Sequence, residues 1–416
     1  MSIPVAKQYI KDFEQMGLGV FVHFGIYSML EAGEWHGYYL IGKPDEIAEY
    51  KALKHKFNPD SMENIVLSAK KSGAKYITFT TKHHDGFALF DTCGITDFDA
   101  MHSAAKRDLV KEFADACRKH DIVPMFYYAT HEFFNDDEDN DFPKYLEYIR
   151  NSVEVLCKNY GKIGGLWFDG NWSKTGEGDV WEEEKLYALI RKYQPEAMII
   201  NNTGLQRCGE VGNLEIDSVT YERGKAAPLN REGMKKYVAA EVCDSSNGHW
   251  GIANDFNHKS PKYILECLCK SRGAGANYLF NVGPDEKGYV PAFQSATLGL
   301  IGEWMSIFGE AVYNGRPFWY KDGVDNFVLR SEDGKHAYFV CFNLRRRGNV
   351  NAVLAIGTEG DFIYEGFAER VENIHWMDND EQLPYLYEGD KLTVNLAGYD
   401  NGYDYCVRIA KADIVK

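Results

Sequence analysis

Four apolar runs in the first 170 residues each close on a polar or aromatic side chain, and this pattern leaves few folds open to the chain. GVFVHFG reaches His23, YITFTTKHHDGF reaches His83 and His84, IVPMFYY reaches Tyr128, and GGLWFDG reaches Asp169. Continuous apolar runs of this kind read as strands buried on both faces. A polar residue at the carboxyl end of such a strand is badly placed for a core and well placed for a site. Strands are expected at about 18–24, 76–81, 122–128, 164–169, 197–201, 238–242 and 277–281. Residues 59–73, 107–120, 142–161, 183–193 and 261–273 carry helical patterns between them, with Asp60 near the first start and Gly73 at its stop. Buried strands alternating with amphipathic helices imply an α/β fold, a (β/α)8-like barrel of the TIM type. An eighth strand falls near 216–221 or is missing, which would leave the barrel irregular.

From about Ala311 the pattern changes. Short alternating runs with Asp-Gly turns at 322–323 and 333–334 are hairpin signals, and no helix is expected from there to residue 416. The expected organisation is a catalytic barrel domain at 1–310 and a small C-terminal β-sandwich domain at 311–416. The net charge of −16 argues against nucleic acid or an anionic membrane as partner, since both require basic surface. No run of 18 apolar residues is present, and the N-terminus lacks the apolar region of a signal peptide, so a cytoplasmic location is expected. The nine cysteines are scattered without a CxxC pair and read as free thiols rather than zinc ligands. GANYLFNVGP lacks the GxxxxGK[ST] spacing of a phosphate loop, and no cofactor is implied.

FVHFGIYS (21–28), GEWH (33–36), KHHDGF (82–87), FYYA (126–129), LWFDG (166–170) and GANYLFNVGP (275–284) together resemble the retaining α-L-fucosidases of glycoside hydrolase family 29, in order and spacing. The resemblance covers about the first three quarters of the chain. It implies a fucosylated oligosaccharide or glycan as substrate, no metal, and a C-terminal β-sandwich; a homo-oligomer stays open. It carries His23, Glu34, Trp35, His83, His84 and Tyr128 onto the sugar-binding positions. A neutral histidine suits that task, because one ring nitrogen donates while the other accepts. Trp167 and Trp250 are candidates for the apolar wall facing the fucose methyl group. His36, His102, His131, His249 and His258 read as ordinary core or surface residues.

Retaining glycosidases need a nucleophile and an acid/base about 5–5.5 Å apart. Asp169, at the end of its strand, is the best nucleophile, against the plainer reading of an aspartate capping a following helix. For the acid/base, GEVGNLEI (209–216) resembles the family's segment and ranks Glu215 first; Glu241 in AAEVC ranks second. Glu222 in TYERG ranks third, since it could simply pair with Arg223 or Arg231. Many relatives carry an arginine after the strand that ends here at Asn202; this chain has Thr203, with Arg207 as a substitute from the loop.

Two rival readings stand beside this one. A metal-dependent barrel hydrolase could use His23, His83, His84, Asp85 and Asp169, although adjacent histidines diverge on an extended backbone and no H-x-H strand is present. A non-catalytic carbohydrate-binding protein would not need Asp169 and a carboxylate opposite it.

Overall fold

The segment Leu18–Val22 (LGVFV) carries no polar side chain and is buried along its whole length, between parallel neighbours on both sides. In the computed structural model, which describes residues 2–223 and 226–415, this strand β1 opens a closed parallel barrel. The others follow in chain order: β2 (Tyr76–Lys82), β3 (Val123–Ala129), β4 (Gly165–Asp169), β5 (Met198–Asn201), β6 (Ser218–Glu222), β7 (Ala239–Ser245) and β8 (Asn277–Val282). β6 is the strand for which the sequence left room near 216–221, and it completes the set of eight; β8 returns to pair with β1. Register partners share a face, so Trp167 stands beside Tyr127, and Asp169 beside Ala129.

The barrel floor is aromatic. Phe21, Tyr76, Tyr127 and Trp167 meet there with Met125 and Met198. Gly19 makes this possible, because a Cβ at that position would overlap the Tyr76 ring. The Tyr76 hydroxyl donates to Glu241 Oε1 (2.6 Å), and Trp167 Nε1 to Glu241 Oε2 (3.0 Å).

A register shift between Thr80 and Lys82 decides which face the end of β2 presents. Thr80 still pairs with the inward Tyr127, but Lys82 pairs with the outward Tyr128. One extra residue in a strand inverts all that follows. Lys82 therefore points away from the barrel interior, ion-pairs with buried Glu132, and lies 4.1 Å from the Tyr128 ring centroid. His83 turns inward.

The chain divides into two compact units, Met1–Lys259 with Asn277–Gly299, and Ser260–Ala276 with Leu300–Lys416. In the second, strands Gly315–Trp319, Phe327–Ser331, His336–Phe342, Arg370–Trp376 and Val407–Val415 make a five-stranded antiparallel sheet. Gly360–Tyr364, Tyr385–Glu388 and Lys391–Leu396 make a three-stranded one. Trp376 and Phe339 from the larger sheet share one buried core with Tyr364, Leu392 and Val394 from the smaller.

Four α-helices escaped the sequence reading: Gln8–Met16, Pro44–Ala52, the single turn Asp137–Asn140 and Ala292–Asn314. The last holds Gly299, Gly302 and Gly309 and only two charges, Glu303 and Glu310, so it shows no polar stripe. No helix among the described residues is long and apolar enough to cross a membrane.

The Lys82–Glu132 pair generates a stability prediction. Glu132→Leu leaves the Lys82 ammonium buried without its partner, which costs about 3–5 kcal/mol. Urea denaturation should show the midpoint falling with the slope unchanged. An unmoved midpoint would mean that the pair contributes nothing.

Candidate active site

Asp169 ends β4, and its backbone is fixed first. Thr130 donates to its carbonyl from both the amide (2.7 Å) and the hydroxyl (2.9 Å). The carboxylate is then surrounded by donors. Tyr127 Oη reaches Oδ2 (3.0 Å), Trp172 Nε1 reaches Oδ1 (2.8 Å), and His84 Nε2 lies 3.3 Å from Oδ2. Burial raises the carboxyl's pKa, but the contacts from His84, Trp172 and Tyr127 outweigh it and hold the group below the usual carboxylate range.

Glu222 ends β6, and Asn202, just past β5, joins the two. The Asn202 Nδ2 donates to Asp169 Oδ1 (3.2 Å) and to Glu222 Oε2 (2.8 Å). Its Oδ1 accepts from Thr220 Oγ1 (3.3 Å) and from the Gly204 amide (3.1 Å), which fixes the orientation of the amide. Burial and the nearby Asp169 charge push the Glu222 carboxyl above its ordinary value, against the Asn202 bond. The site thus holds one carboxyl pushed down and one pushed up.

Around this pair opens a cavity of about 740 Å³, lined among others by His23, Glu34, Trp35, His83, Trp167 and Trp250. The His23 Nδ1 sits 2.7 Å from Asn281 Oδ1. Asn281 spends its Nδ2 on the Trp250 carbonyl (2.6 Å), so its Oδ1 is the acceptor and His23 Nδ1 carries the proton. The lone pair of Nε2 is left for a ligand. Burial drives the His23 pKa down to about 3, so the ring stays neutral. The His84 Nδ1 donates to the His131 carbonyl (2.8 Å), which turns Nε2 toward Asp169. His83 stacks on Tyr127 with centroids 5.5 Å apart. Glu34 Oε2 accepts from the amides of Trp250 (3.0 Å) and Gly251 (2.8 Å). Trp250 lies against His23, and the Arg223 guanidinium sits 5.2 Å over its ring.

Three sequence expectations need correction. Glu215 lies before β6 begins, at the opposite end of the barrel from the cavity; its side chain is 51% exposed and 3.8 Å from Arg191. Glu241 is fully buried beneath Trp167, one inward step below Cys243, the residue level with Glu222. Burial pushes its carboxyl up to about 7, yet both oxygens are already bonded by Tyr76 and Trp167. Tyr128 points out of the barrel beside Lys82, and its neighbour Tyr127 takes the inward place. The suspected partners of Glu222 are occupied elsewhere: Arg223 donates to the Gly248 carbonyl (2.9 Å), and Arg231 to the Val238 carbonyl (2.7 Å). Arg207 lines the cavity while bonded to Glu210 (2.8 Å).

The family model described as Alpha-L-fucosidase matches residues 4–310. The chain belongs to the α-L-fucosidase family. Tissue alpha-L-fucosidase of Bos taurus is 26% identical over 379 residues, covering 83% of this chain and 77% of that one. The solved alpha-L-fucosidase isoenzyme 1 of Paenibacillus thiaminolyticus is 27% identical with a TM-score of 0.83, covering 98% of this chain and 99% of that one. An α-L-fucosidase of Bacteroides thetaiotaomicron, solved as a trapped covalent intermediate, is 21% identical with a TM-score of 0.81, covering 100% of this chain and 98% of that one.

Against that family background, Asn202, Tyr127, Trp172 and His249 are cavity residues to which the sequence reading gave no role. The register with β4 sets Tyr127 beside the inward Trp167, and that register is not written in the sequence of β3. No signal marks Asn202 or Trp172 either, which lie beyond strand ends. Among the described residues no group of three or more His, Cys, Asp or Glu is set to hold a metal ion.

The packing of His23 predicts its protonation. Long-range 1H–15N NMR should find it neutral from pH 5 to 8 with Nδ1 protonated. A titration near pH 6.5, the ordinary histidine value, would contradict the effect of burial, and a proton on Nε2 in its place would contradict the Asn281 geometry.

Proposed function

We propose that this chain hydrolyses terminal α-L-fucosides of oligosaccharides and glycans with retention of anomeric configuration, with Asp169 as nucleophile and Glu222 as acid/base. One observation carries the reading. Asp169 and Glu222 share one Asn202 amide, while their surroundings move their pKa values in opposite directions. A pair of carboxyls separated in this way supplies an ionised nucleophile and a protonated acid at the same pH.

The Asp169 carboxylate attacks the anomeric carbon as Glu222 gives its proton to the departing oxygen, leaving a covalent fucosyl ester. Glu222, now a carboxylate, takes a proton from water, whose oxygen attacks the same carbon and releases Asp169. Two inversions give net retention. This is the chemistry for which the covalent intermediate of the Bacteroides protein was trapped, and here it rests on this chain's own two carboxylates. His23 Nε2 and Glu34 offer acceptors to the sugar hydroxyls, while Trp167 and Trp250 form the apolar wall. All the cavity's lining residues belong to the first compact unit, which is read as the catalytic domain, with the C-terminal β-sandwich accessory.

Proton NMR of the first-formed sugar should give the α-anomer; the β-anomer would overturn the mechanism. Asp169→Ala should lose several orders of magnitude in turnover while keeping its fold, and azide should partly restore it. Near wild-type activity would remove Asp169 from its role.

The acid/base is tested by leaving group. Glu222→Ala should slow a natural disaccharide by about 10²-fold or more. It should slow an activated aryl fucoside far less, since that group departs without a proton. Glu215→Ala should change neither. Activity requires Asp169 ionised and Glu222 protonated, so kcat/KM falls on the acid side as Asp169 protonates and on the alkaline side as Glu222 ionises. Glu222→Gln should erase the alkaline limb; an unchanged limb would assign it to another group.

A further inference from the structure

Trp172 is a large indole left 37% exposed at the mouth of a deep cavity, where its N–H bonds the partly buried Asp169 carboxylate. The chain goes to some length to bring it there. After Asp169 the backbone turns at Gly170, whose φ of +110° favours glycine and where a Cβ would stand 2.6 Å from the His131 amide nitrogen. A short 3-10 turn, Asn171–Ser173, then carries the indole back over Asp169. The loop is tied by Trp181 Nε1, which donates to the Asn171 carbonyl (2.8 Å) and the Lys174 carbonyl (3.0 Å).

The ring itself is not packed into a core. It lies nearly parallel to Trp35, centroids 6.2 Å apart and planes 25° apart, and meets His84 and His131 by edge contacts. It lines the sugar cavity and also borders a second cavity of about 390 Å³, which shares Thr175, Asn202, Thr203 and Arg207 with the first. Trp35 and Trp172 together therefore continue an aromatic wall from the site outward. Apolar C–H faces of a pyranose lie well against such a wall, and the amphipathic indole keeps its N–H for a polar partner.

We propose that Trp172 is a positioning and specificity residue. Its N–H holds Asp169 Oδ1 in line for attack, and its exposed face receives the sugar ring next to fucose in the substrate. The inference rests on the fucoside-hydrolase reading above. The two roles separate by substitution, because Trp172→Phe keeps a ring and removes the N–H, whereas Trp172→Ala removes both.

Two substrates read the roles apart: a fucosylated disaccharide, and α-L-fucosyl fluoride, whose leaving group has no ring to rest on Trp172. Wild-type turnover of both tests the fucosidase reading by itself, and its absence would sink that reading before any variant is considered. With wild type active, Trp172→Phe should lower kcat/KM for both substrates by the same factor of about tenfold, roughly the loss of one hydrogen bond to a charged group. The acid limb of its pH profile should move upward, because Asp169 has lost a donor. Trp172→Ala should repeat that loss on the fluoride and add a further loss of about tenfold on the disaccharide. Wild-type rates and an unmoved acid limb in Trp172→Phe would overturn the positioning role. Equal losses on both substrates in Trp172→Ala would overturn the specificity role. Thermal melting of both variants, expected to stay near wild type for a half-exposed loop residue, separates these outcomes from misfolding.

Discussion

Closure of the parallel ladder is the constraint on which the rest depends. β1 pairs with β2 on one side and with β8 on the other, so no strand can slip by a residue without turning its inward side chains out. Within that closed ring, depth is counted in steps of two residues. Glu222 is level with Cys243, and Thr220 with Glu241, so two glutamates on adjacent strands occupy different layers. The upper one faces the cavity. The lower one anchors the aromatic floor through Tyr76 and Trp167.

The polar groups of the site are each oriented by a partner that leaves one function free. Asn281 sets the tautomer of His23, the His131 carbonyl sets the orientation of the His84 ring, and Thr220 with Gly204 sets the face that Asn202 turns to the two carboxylates. Side chains held in this way need little reorganisation as charge moves, which is where most catalytic stabilisation arises. The same bonds answer the cost of burial. Asp169, 16% exposed, stays ionised because the contacts from His84, Trp172 and Tyr127 outweigh its burial, whereas burial and the nearby Asp169 charge drive Glu222 toward its neutral form.

Outside the barrel wall, the β2 bulge does a different job. By sending Lys82 outward to Glu132 it buries an ion pair behind the strand end and frees the next residue, His83, to enter the cavity. The motif KHHDGF thus splits into a structural half and a site half: Asp85 also faces away, accepting from Tyr50 (2.7 Å) and the Phe87 amide (3.1 Å).

The sequence by itself determined the barrel, the strand ends that carry His23, His83, His84 and Asp169, and the family. Each of these is written in local pattern: an apolar run, its terminal residue, the order of motifs. It did not determine Tyr127 over Tyr128, because parity on a strand is counted from its neighbour's register, and nothing in FYYA states that register. Nor could it choose among Glu215, Glu222 and Glu241. All three lie near an expected strand, and only the tertiary structure puts the first at the far end of the barrel, the third in its floor, and the second beside Asp169. Asn202 and Trp172 were decided by the tertiary structure alone, for the same reason: their loops leave the strands, and where a side chain returns depends on turns such as that at Gly170 and not on any periodicity.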